Sequence, residues 1–234
     1  MRLDKFLSDM GISTRKETAS LAKKGMITVD GVPFRDSSRH IDPETAKVVF
    51  CGREIVYSKY VYVMLNKPEG YVSATEDSHL PVVTELLSEE LRRMELFPVG
   101  RLDRDTLGLM ILTNNGKLAH RLLSPRRHVE KEYRFKCAEP LCLGIEEKFL
   151  GGVTLADGYE CKSAVITPDA DRMGGSIILT EGKYHQIKRM IAASGNRVTY
   201  LERVRFSDIS LDSSLARGEY RLLTDSEREI LERE

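Results

Sequence analysis

A chain of 234 residues with 41% hydrophobic and 31% charged side chains has the composition of a folded protein with a core, which excludes a disordered tail. The length suits one large domain, or a small domain joined to a larger one. The formal net charge is zero, so the total charge gives no indication of a nucleic-acid partner.

The N-terminal segment MRLDKFLSDMG is charged throughout and lacks the apolar run of a signal peptide. No stretch approaches the length of a membrane span, so we expect a cytoplasmic protein without a membrane partner. The cysteines show no CxxC spacing, which favours reduced thiols over a disulfide framework or a zinc site. They are Cys51, Cys137, Cys142 and Cys161.

The charges are unevenly distributed along the chain. Residues 117–136 carry seven lysines and arginines against two glutamates, and residues 183–205 carry six against one. Acidic residues gather instead in 69–95 and at the C-terminus. Basic segments of this kind suit phosphate contacts, although any single charge run is more often a solvated face.

The first 57 residues predict a small unit that begins with two helices. Four apolar side chains at i, i+3, i+4 and i+7 in LDKFLSDM form one stripe on a short helix, which Gly11 ends. Thr14 and Glu17 have capping-box spacing and predict a second helix as far as about Gly25. Strand-like MITVDG and AKVVF follow. Because so short a unit buries little surface alone, we interpret it as a docking module.

The second part of the chain begins near Val61 and mixes strands with helices. VYVML, GLMILT, EKEYRFKC and SIILTEG predict strands, whereas KLAHRLL, LCLGIEEKFL, HQIKRMIAASG and the charged C-terminus predict helices. Residues 81–94 predict one amphipathic helix, and TLADGYECKSAVIT predicts a hairpin around Asp157 and Gly158. Because a regular βαβ alternation is missing, we expect an α+β fold with a largely antiparallel sheet.

One stretch, VGRLDRDTLGL, places four charges between apolar segments. Charged side chains are rarely buried unless they are paired. Period-2 alternation would put Arg101, Asp103 and Asp105 on one side of a strand, whereas DRDTLG is also typical of a turn. Either this stretch is a surface hairpin, or it holds an acid where a reaction needs one.

The N-terminal segment RLDKFLSDMGISTRKETASLAKKGMITVDG resembles the S4 RNA-binding domain, a helix–helix–strand module. In that family the second helix and the turn after it lie against structured RNA. The resemblance implies an S4-like domain over 1–57, followed by a larger domain over 58–234. It also implies RNA contacts by the basic residues of the second helix, which are Arg15, Lys16, Lys23 and Lys24. The alternative is an unrelated small helix-hairpin domain.

Four segments of the larger domain, NKPEGYVSAT, VGRLDRDTLGL, SPRRHVEKEYRFKC and EGKYHQIKRMIAASGN, resemble the pseudouridine synthases in order and spacing. The similarity is to the RsuA type, small-subunit rRNA pseudouridine synthase A, and spans essentially the whole chain. It implies an isomerase that moves a uracil from an N-glycosidic to a C-glycosidic attachment without a cofactor or a metal. The implied catalytic domain has a mixed, largely antiparallel sheet with flanking helices.

The resemblance implies catalytic roles for three residues. Asp103 matches the family's catalytic aspartate, a carboxylate suited to act as a nucleophile or a base. Because burial raises the pKa of a carboxyl group, a fixed cation is needed beside it, and Lys188 matches that partner. Tyr133 matches the tyrosine that packs against the target base. Further RNA-contact candidates are Arg101, Arg126, Arg127, Lys131 and Arg189, the last also being the second choice for the cation.

The segment YVSATEDSHLPVVTELL resembles the small-subunit enzyme more than its large-subunit relatives, which favours a uridine of 16S rRNA over one of 23S rRNA. We expect a monomer whose partner is this rRNA, either free or in a partly assembled small subunit. Two other classes are alternatives. One is a Mg²⁺-dependent phosphatase using Asp103 and Asp105, although Thr106 stands one position too early for that motif. The other is a ribosome-binding protein without catalysis.

Overall fold

The computed structural model describes residues 1–124 and 127–234, and the chain forms two compact units. The N-terminal unit comprises Met1–Val61 and Leu87–Leu96, and the C-terminal unit comprises Tyr62–Leu86 and Phe97–Glu234. Residues 87–96, which the sequence-based boundary places in the second domain, thus group with the first unit. Arg126, an RNA-contact candidate, lies outside the described residues.

The N-terminal unit packs helices with a four-stranded antiparallel sheet of order β2-β1-β3-β4. Both predicted helices are confirmed, and the Thr14 side chain and the Glu17 carboxylate cap the second one reciprocally. The elements are α1 (Leu3–Asp9), α2 (Arg15–Lys23), β1 (Ile27–Val29), β2 (Val32–Pro33), β3 (Val48–Phe50), β4 (Arg53–Ile55) and α3 (Glu89–Arg93).

The single helix predicted over residues 81–94 is wrong. The chain instead forms a 3₁₀ turn at Val83–Leu86, and Ser88 then caps the short helix α3 by accepting a hydrogen bond from the Leu91 N–H. The physical reason is that the two pieces belong to different units, since Val83 is buried in the C-terminal unit and Leu87 in the N-terminal one. A continuous helix would place Val83 and Leu87, which are four positions apart, on the same face and could not bury them in two different units.

The C-terminal unit is built on a nine-stranded sheet in which β13, β5, β7, β11, β8, β10 and β9 are neighbours in that order. Among the described strands only the pair β7 and β11 is parallel, so the expected α+β fold with a largely antiparallel sheet is confirmed. The strands are β5 (Tyr62–Lys67), β6 (Phe97–Pro98), β7 (Leu107–Thr113), β8 (Lys131–Cys137), β9 (Val165–Pro168), β10 (Gly174–Leu179), β11 (Val198–Phe206), β12 (Ile209–Ser210) and β13 (Tyr220–Leu222).

Four helices accompany this sheet, and they are α4 (Gly116–Leu123), α5 (Ile145–Leu150), α6 (Gln186–Ala192) and α7 (Asp225–Arg233). The helix predicted in LCLGIEEKFL is only six residues long, because Gly144 precedes it with a φ of +76°. The predicted hairpin around Asp157 and Gly158 is reduced to one isolated bridge between Thr154 and Glu160. The strand that follows pairs with β10 instead.

The parallel contact between β7 and β11 depends on Gly108. Its φ is +95°, and a Cβ built there would lie 2.3 Å from the Arg203 carbonyl oxygen, so only glycine fits. The Arg203 side chain is buried beneath this contact, where its Nε donates a 2.7 Å hydrogen bond to the Leu109 carbonyl oxygen. The guanidinium also lies over the Phe206 ring, 5.4 Å from its centroid. The centre of the sheet therefore contains a hydrogen-bonded cation among apolar strands.

Candidate active site

Asp103 lies in the loop between β6 and β7, not in a strand. The Thr106 N–H donates a 3.0 Å hydrogen bond to the Asp103 carbonyl oxygen and closes a turn. The sequence allows either a strand or a turn at DRDTLG, and the turn is therefore confirmed. The Asp103 side chain is 26% exposed, so its carboxylate is half-buried and still reachable by a ligand.

Lys188 lies between the two carboxylates of this loop. Its Nζ is 3.2 Å from Asp103 Oδ2 and 2.5 Å from Asp105 Oδ1. Lys188 is on α6, where Ile187, Met190 and Ile191 are buried and so turn the lysine toward the loop. The structure thus places the predicted cation beside the predicted aspartate, and Asp105 shares that cation.

The pKa values of this ion pair follow from its geometry. Burial opposes the ionisation of Asp105, but the hydrogen bond and the charge of Lys188 outweigh it and hold the Asp105 pKa below its usual value. Burial likewise opposes the charge of Lys188, and the two carboxylates outweigh it and raise the Lys188 pKa. Both partners therefore stay charged at neutral pH.

Lys67, at the end of β5, holds the same loop from the other side. The lysine is fully buried, and its Nζ donates hydrogen bonds to the carbonyl oxygens of Pro68, Arg104 and Thr106 at 3.1, 3.1 and 2.9 Å. Burial lowers the Lys67 pKa to about 8, although nearby carboxylates act in the opposite direction. Two of these acceptors, the carbonyl groups of Arg104 and Thr106, flank Asp105, so one side chain sets the path of the loop on both sides of it.

A pocket opens beside Asp103 and is lined by side chains from four different strands or helices. Tyr133 on β8 is buried and forms part of the wall, together with Leu179 on β10, Leu201 on β11 and Ile187 on α6. Arg101 lines the rim and is exposed. The pocket thus combines one aromatic ring, an apolar wall and a paired carboxylate, which suits a flat, partly polar ring such as a nucleobase.

The segment between β10 and α6 is fixed by a buried hydrogen-bond network. One carboxylate oxygen of Glu181 accepts hydrogen bonds from the Lys162 N–H at 2.9 Å and from the Gln186 side chain at 2.5 Å. Its other oxygen accepts one from the Tyr159 hydroxyl at 2.9 Å. The Gln186 amide oxygen accepts a 2.8 Å hydrogen bond from the Lys183 N–H. Residues 182–185 are thereby held at both ends.

His185 is the last residue of that segment, and its side chain also lines the pocket. It has a φ of +49°, which is uncommon for a residue with a side chain. Its Nε2 is 3.6 Å from Asp103 Oδ1, whereas the 3.2 Å contact of Lys188 is with Oδ2 of the same carboxylate. The carboxylate of Asp103 therefore faces two different nitrogen-bearing groups.

The remaining predicted residues lie in different surroundings. Arg189, the alternative candidate for the cation beside Asp103, instead forms an ion pair with Asp157, and Lys188 is the one that lies next to Asp103. Lys131 is half-buried, donates to the Val129 carbonyl oxygen at 2.8 Å, and has a pKa lowered by burial to about 8. The remaining candidates are all exposed, and they are Arg127, Arg15, Lys16, Lys23 and Lys24.

The described residues contain neither a metal-binding cluster nor a membrane-spanning helix. Within residues 1–124 and 127–234, His, Cys, Asp and Glu side chains form no group of three that would hold a metal ion. All four cysteines have free thiols. In the same part of the chain, the helices are too short or too polar to cross a bilayer.

Comparisons with known proteins agree with this geometry. Residues 61–193 match the family described as RNA pseudouridylate synthase. The chain belongs to this family. A protein of Bacillus subtilis (strain 168) named uncharacterized RNA pseudouridine synthase YtzG is 44% identical, covering 99% of this chain and 98% of its own. A crystal structure of a pseudouridylate synthase shares 34% identity, covers 99% of both chains and has a TM-score of 0.70.

Relatives named ribosomal small subunit pseudouridine synthase A are similarly close. Those of Escherichia coli (strain K12) and Vibrio cholerae (strain N16961) are each 40% identical over 97% of this chain. Within the family, this pseudouridine synthase is therefore of the RsuA type, as its sequence motifs predict.

Sequence reasoning missed Lys67, His185, Glu181 and Gln186. Lys67 stands in the quoted NKPEGY segment, and a lysine that ends an apolar strand is the signal that could have identified it. The other three stand in EGKYHQIKRM, where only Lys188 and Arg189 were considered. Glu181 gives no periodic signal, because two of its partners, Tyr159 and Lys162, are distant in sequence, and Gln186 acts through its hydrogen bond to Glu181.

Proposed function

We propose that this pseudouridine synthase converts a specific uridine of 16S rRNA to pseudouridine, with Asp103 as the nucleophile or base. The observation that carries the proposal is the half-buried Asp103 carboxylate, 3.2 Å from Lys188 in a pocket walled by Tyr133. The choice of 16S rRNA is supported by the 40% identity to relatives named for the ribosomal small subunit.

The reaction is an isomerisation, so it needs no external oxidant or reductant. The bond between C1′ of the ribose and N1 of uracil breaks, a bond between C1′ and C5 forms, and the proton lost from C5 is balanced by one gained at N1. Asp103 either attacks the nucleoside or removes a proton from it, and the Lys188 ammonium lies beside the carboxylate as its ion-pair partner. Tyr133 stacks on the uracil, which must leave its place in the RNA to enter the pocket.

The N-terminal unit is proposed to dock the RNA as an S4-like domain. Support comes from four exposed basic side chains on α2 and at its C-cap, which are free to meet phosphates; they are Arg15, Lys16, Lys23 and Lys24. Arg101 at the pocket rim is proposed to move toward the space that the uridine leaves, and Arg126, Arg127, Lys131 and Arg189 complete the proposed RNA contacts. The enzyme is proposed to act as a cytoplasmic monomer.

The test is to incubate the purified chain with transcripts of 16S and 23S rRNA, and with partly assembled small subunits, and to map pseudouridine in each. We expect one modified position in 16S rRNA, and no product with Asp103→Asn. Product in 23S rRNA alone would overturn the assignment to the small subunit. Binding of both rRNAs without any product would favour the non-catalytic alternative, and phosphate release from phosphomonoesters would favour the phosphatase.

A further inference from the structure

The Tyr184 side chain has no partner in the described core, although both of its chain neighbours, Lys183 and His185, make defined contacts. Its side chain is 75% exposed, and it is the most exposed aromatic residue among the large hydrophobic side chains of the described chain. One face of the ring is stacked on His185, with ring centroids 3.8 Å apart and an angle of 19° between the planes. The other face is open to solvent.

The segment that carries Tyr184 does not depend on it for its conformation. Glu181 and Gln186 fix both ends through buried hydrogen bonds, and Lys183 lies 4.8 Å from the centroid of the Tyr159 ring. The Tyr184 ring therefore contributes little to the core. Its orientation is nevertheless defined, because the fixed His185 ring supports it from beneath.

The stacked rings of His185 and Tyr184 extend from the Asp103 carboxylate toward solvent. His185 Nε2 is 3.6 Å from the Asp103 carboxylate, and Tyr184 extends the stack outward by one ring. Successive stacked nucleobases are separated by a distance similar to the 3.8 Å between these two ring centroids. A nucleotide whose neighbour occupies the pocket would thus find an open aromatic face already in place on the ring stacked against His185, which lines the pocket.

We propose that the open face of Tyr184 stacks on the nucleobase adjacent in the RNA to the target uridine. The inference rests on the proposed function and adds to it a second base site, separate from the one formed by Tyr133. Tyr133 is buried within the pocket and suits the flipped uracil, whereas Tyr184 is exposed and suits a base that stays outside. Because every base has a π-face, this contact adds affinity with little sequence preference.

The test uses RNA hairpins with a single uridine in the loop and 2-aminopurine on its 5′ or its 3′ side. Stacking on an aromatic ring quenches the 2-aminopurine fluorescence. We expect the full-length protein and Tyr184→Phe to quench one of the two probes. Tyr184→Leu should leave that probe bright and bind it about 5- to 150-fold more weakly, the range expected for the removal of one stacked base.

A probe with an abasic residue in place of 2-aminopurine separates a direct contact from a structural effect. Wild type should bind the abasic probe as weakly as Tyr184→Leu binds the quenched one, and Tyr184→Leu should lose nothing further. The matched control is Leu143→Ala, which removes another highly exposed side chain, 87% accessible, and should change neither fluorescence nor affinity. Equal thermal midpoints would exclude unfolding as the cause.

Two results would overturn the inference: no quenching by wild type on either side, or equal quenching by wild type and Tyr184→Leu. Its failure is distinguishable from that of the proposed function, because pseudouridine formation in the 16S transcript is measured separately. Product without quenching rejects the Tyr184 site alone. Quenching without product in any rRNA rejects the proposed reaction and retains the stacking site.

Discussion

The Nζ atom of Lys188 lies 3.2 Å from Oδ2 of Asp103, although the two residues belong to a helix and a loop far apart in the sequence. We expect Lys188→Met to lower kcat by about 10²-fold or more, because the Asp103 carboxylate loses the positive charge that lies 3.2 Å from it. Lys188→Arg keeps the charge but not the compact ammonium, so it should retain part of the activity. Single-turnover pseudouridine formation measures both effects, and full activity of Lys188→Met would remove this lysine from the mechanism.

The same ion pair predicts a pH window for stability. The lowered pKa of Asp105 contributes stability above its ordinary value of 3.8, and this contribution is lost as the pH falls through the folded-state pKa. The raised pKa of Lys188 contributes below its ordinary value of 10.5, and this is lost as the pH rises through the folded-state pKa. The stability gap between wild type and Lys188→Met should therefore be widest between these limits. Urea unfolding of both proteins across the range measures it, and a constant gap would contradict the assignment.

Lys67 predicts a pH dependence of stability opposite to that of Lys188, because its pKa is lowered and not raised. Burial lowers its pKa from 10.5 to about 8, so between these values the unfolded chain holds a proton that the folded chain has released, and stability rises with pH. Lys67→Met lacks this gain, and its destabilisation should therefore grow from about pH 8 to about pH 10. Lys131 has a similarly lowered pKa but is present in both proteins, so its effect cancels.

The same substitution should also lower kcat, by about 10²-fold, because the carbonyl groups of Arg104 and Thr106 lose the donor that positions the Asp103 loop. Lys136→Met on β8 is the matched control, since Lys136 is exposed and should change neither property. If Lys67→Met were as active as Lys136→Met, the loop would not need this anchor.

The Glu181 network predicts a graded series of variants. Gln186→Leu removes a hydrogen bond to the buried Glu181 carboxylate and the acceptor of the Lys183 N–H, which should cost about 1–3 kcal/mol of unfolding free energy. Tyr159→Phe removes one hydrogen bond and should cost less, about 1 kcal/mol. Chemical denaturation gives both values. A larger loss for Tyr159→Phe than for Gln186→Leu would contradict the proposed order of importance.

The N-terminal unit predicts a change in salt dependence. Substituting Lys23 and Lys24 by alanine should weaken rRNA binding and reduce the slope of log K against log salt by about 1 for each RNA phosphate that is no longer neutralised. Lys5→Ala is the control, because Lys5 already pairs with Asp9 on α1. Filter binding of 16S rRNA at several salt concentrations measures the slopes. Equal slopes for the double variant and wild type would leave the S4-like role without support.

Local sequence patterns predicted the short helices and most strands correctly. The apolar stripe ending at Gly11 and the Thr14–Glu17 capping box each fix a helix through contacts within about four residues. Residues 81–94 misled the prediction because Val83 and Leu87 are apolar with helical spacing yet are buried in different units. Periodicity cannot reveal to which core each apolar residue belongs.

The candidate active site was partly predictable, since some of its residues stand in motifs that a single sequence shows. Asp103 and Lys188 stand in distinctive motifs, and the structure brings them together. Lys67 and Glu181 were not predicted, because their roles consist of hydrogen bonds to backbone groups and side chains remote in sequence. Such hydrogen bonds leave no spacing pattern in a single chain.

The position of β11 at the centre of the sheet has a consequence for biosynthesis. Asp103 precedes β7 and Tyr133 lies on β8, and in the strand order of the described sheet β11, which spans Val198–Phe206, lies between these two strands. While the ribosome is still making the chain, the two halves of the pocket therefore have no common scaffold until most of the sequence has emerged. Catalytic competence should arise abruptly and late, so incomplete translation products would not act on RNA prematurely.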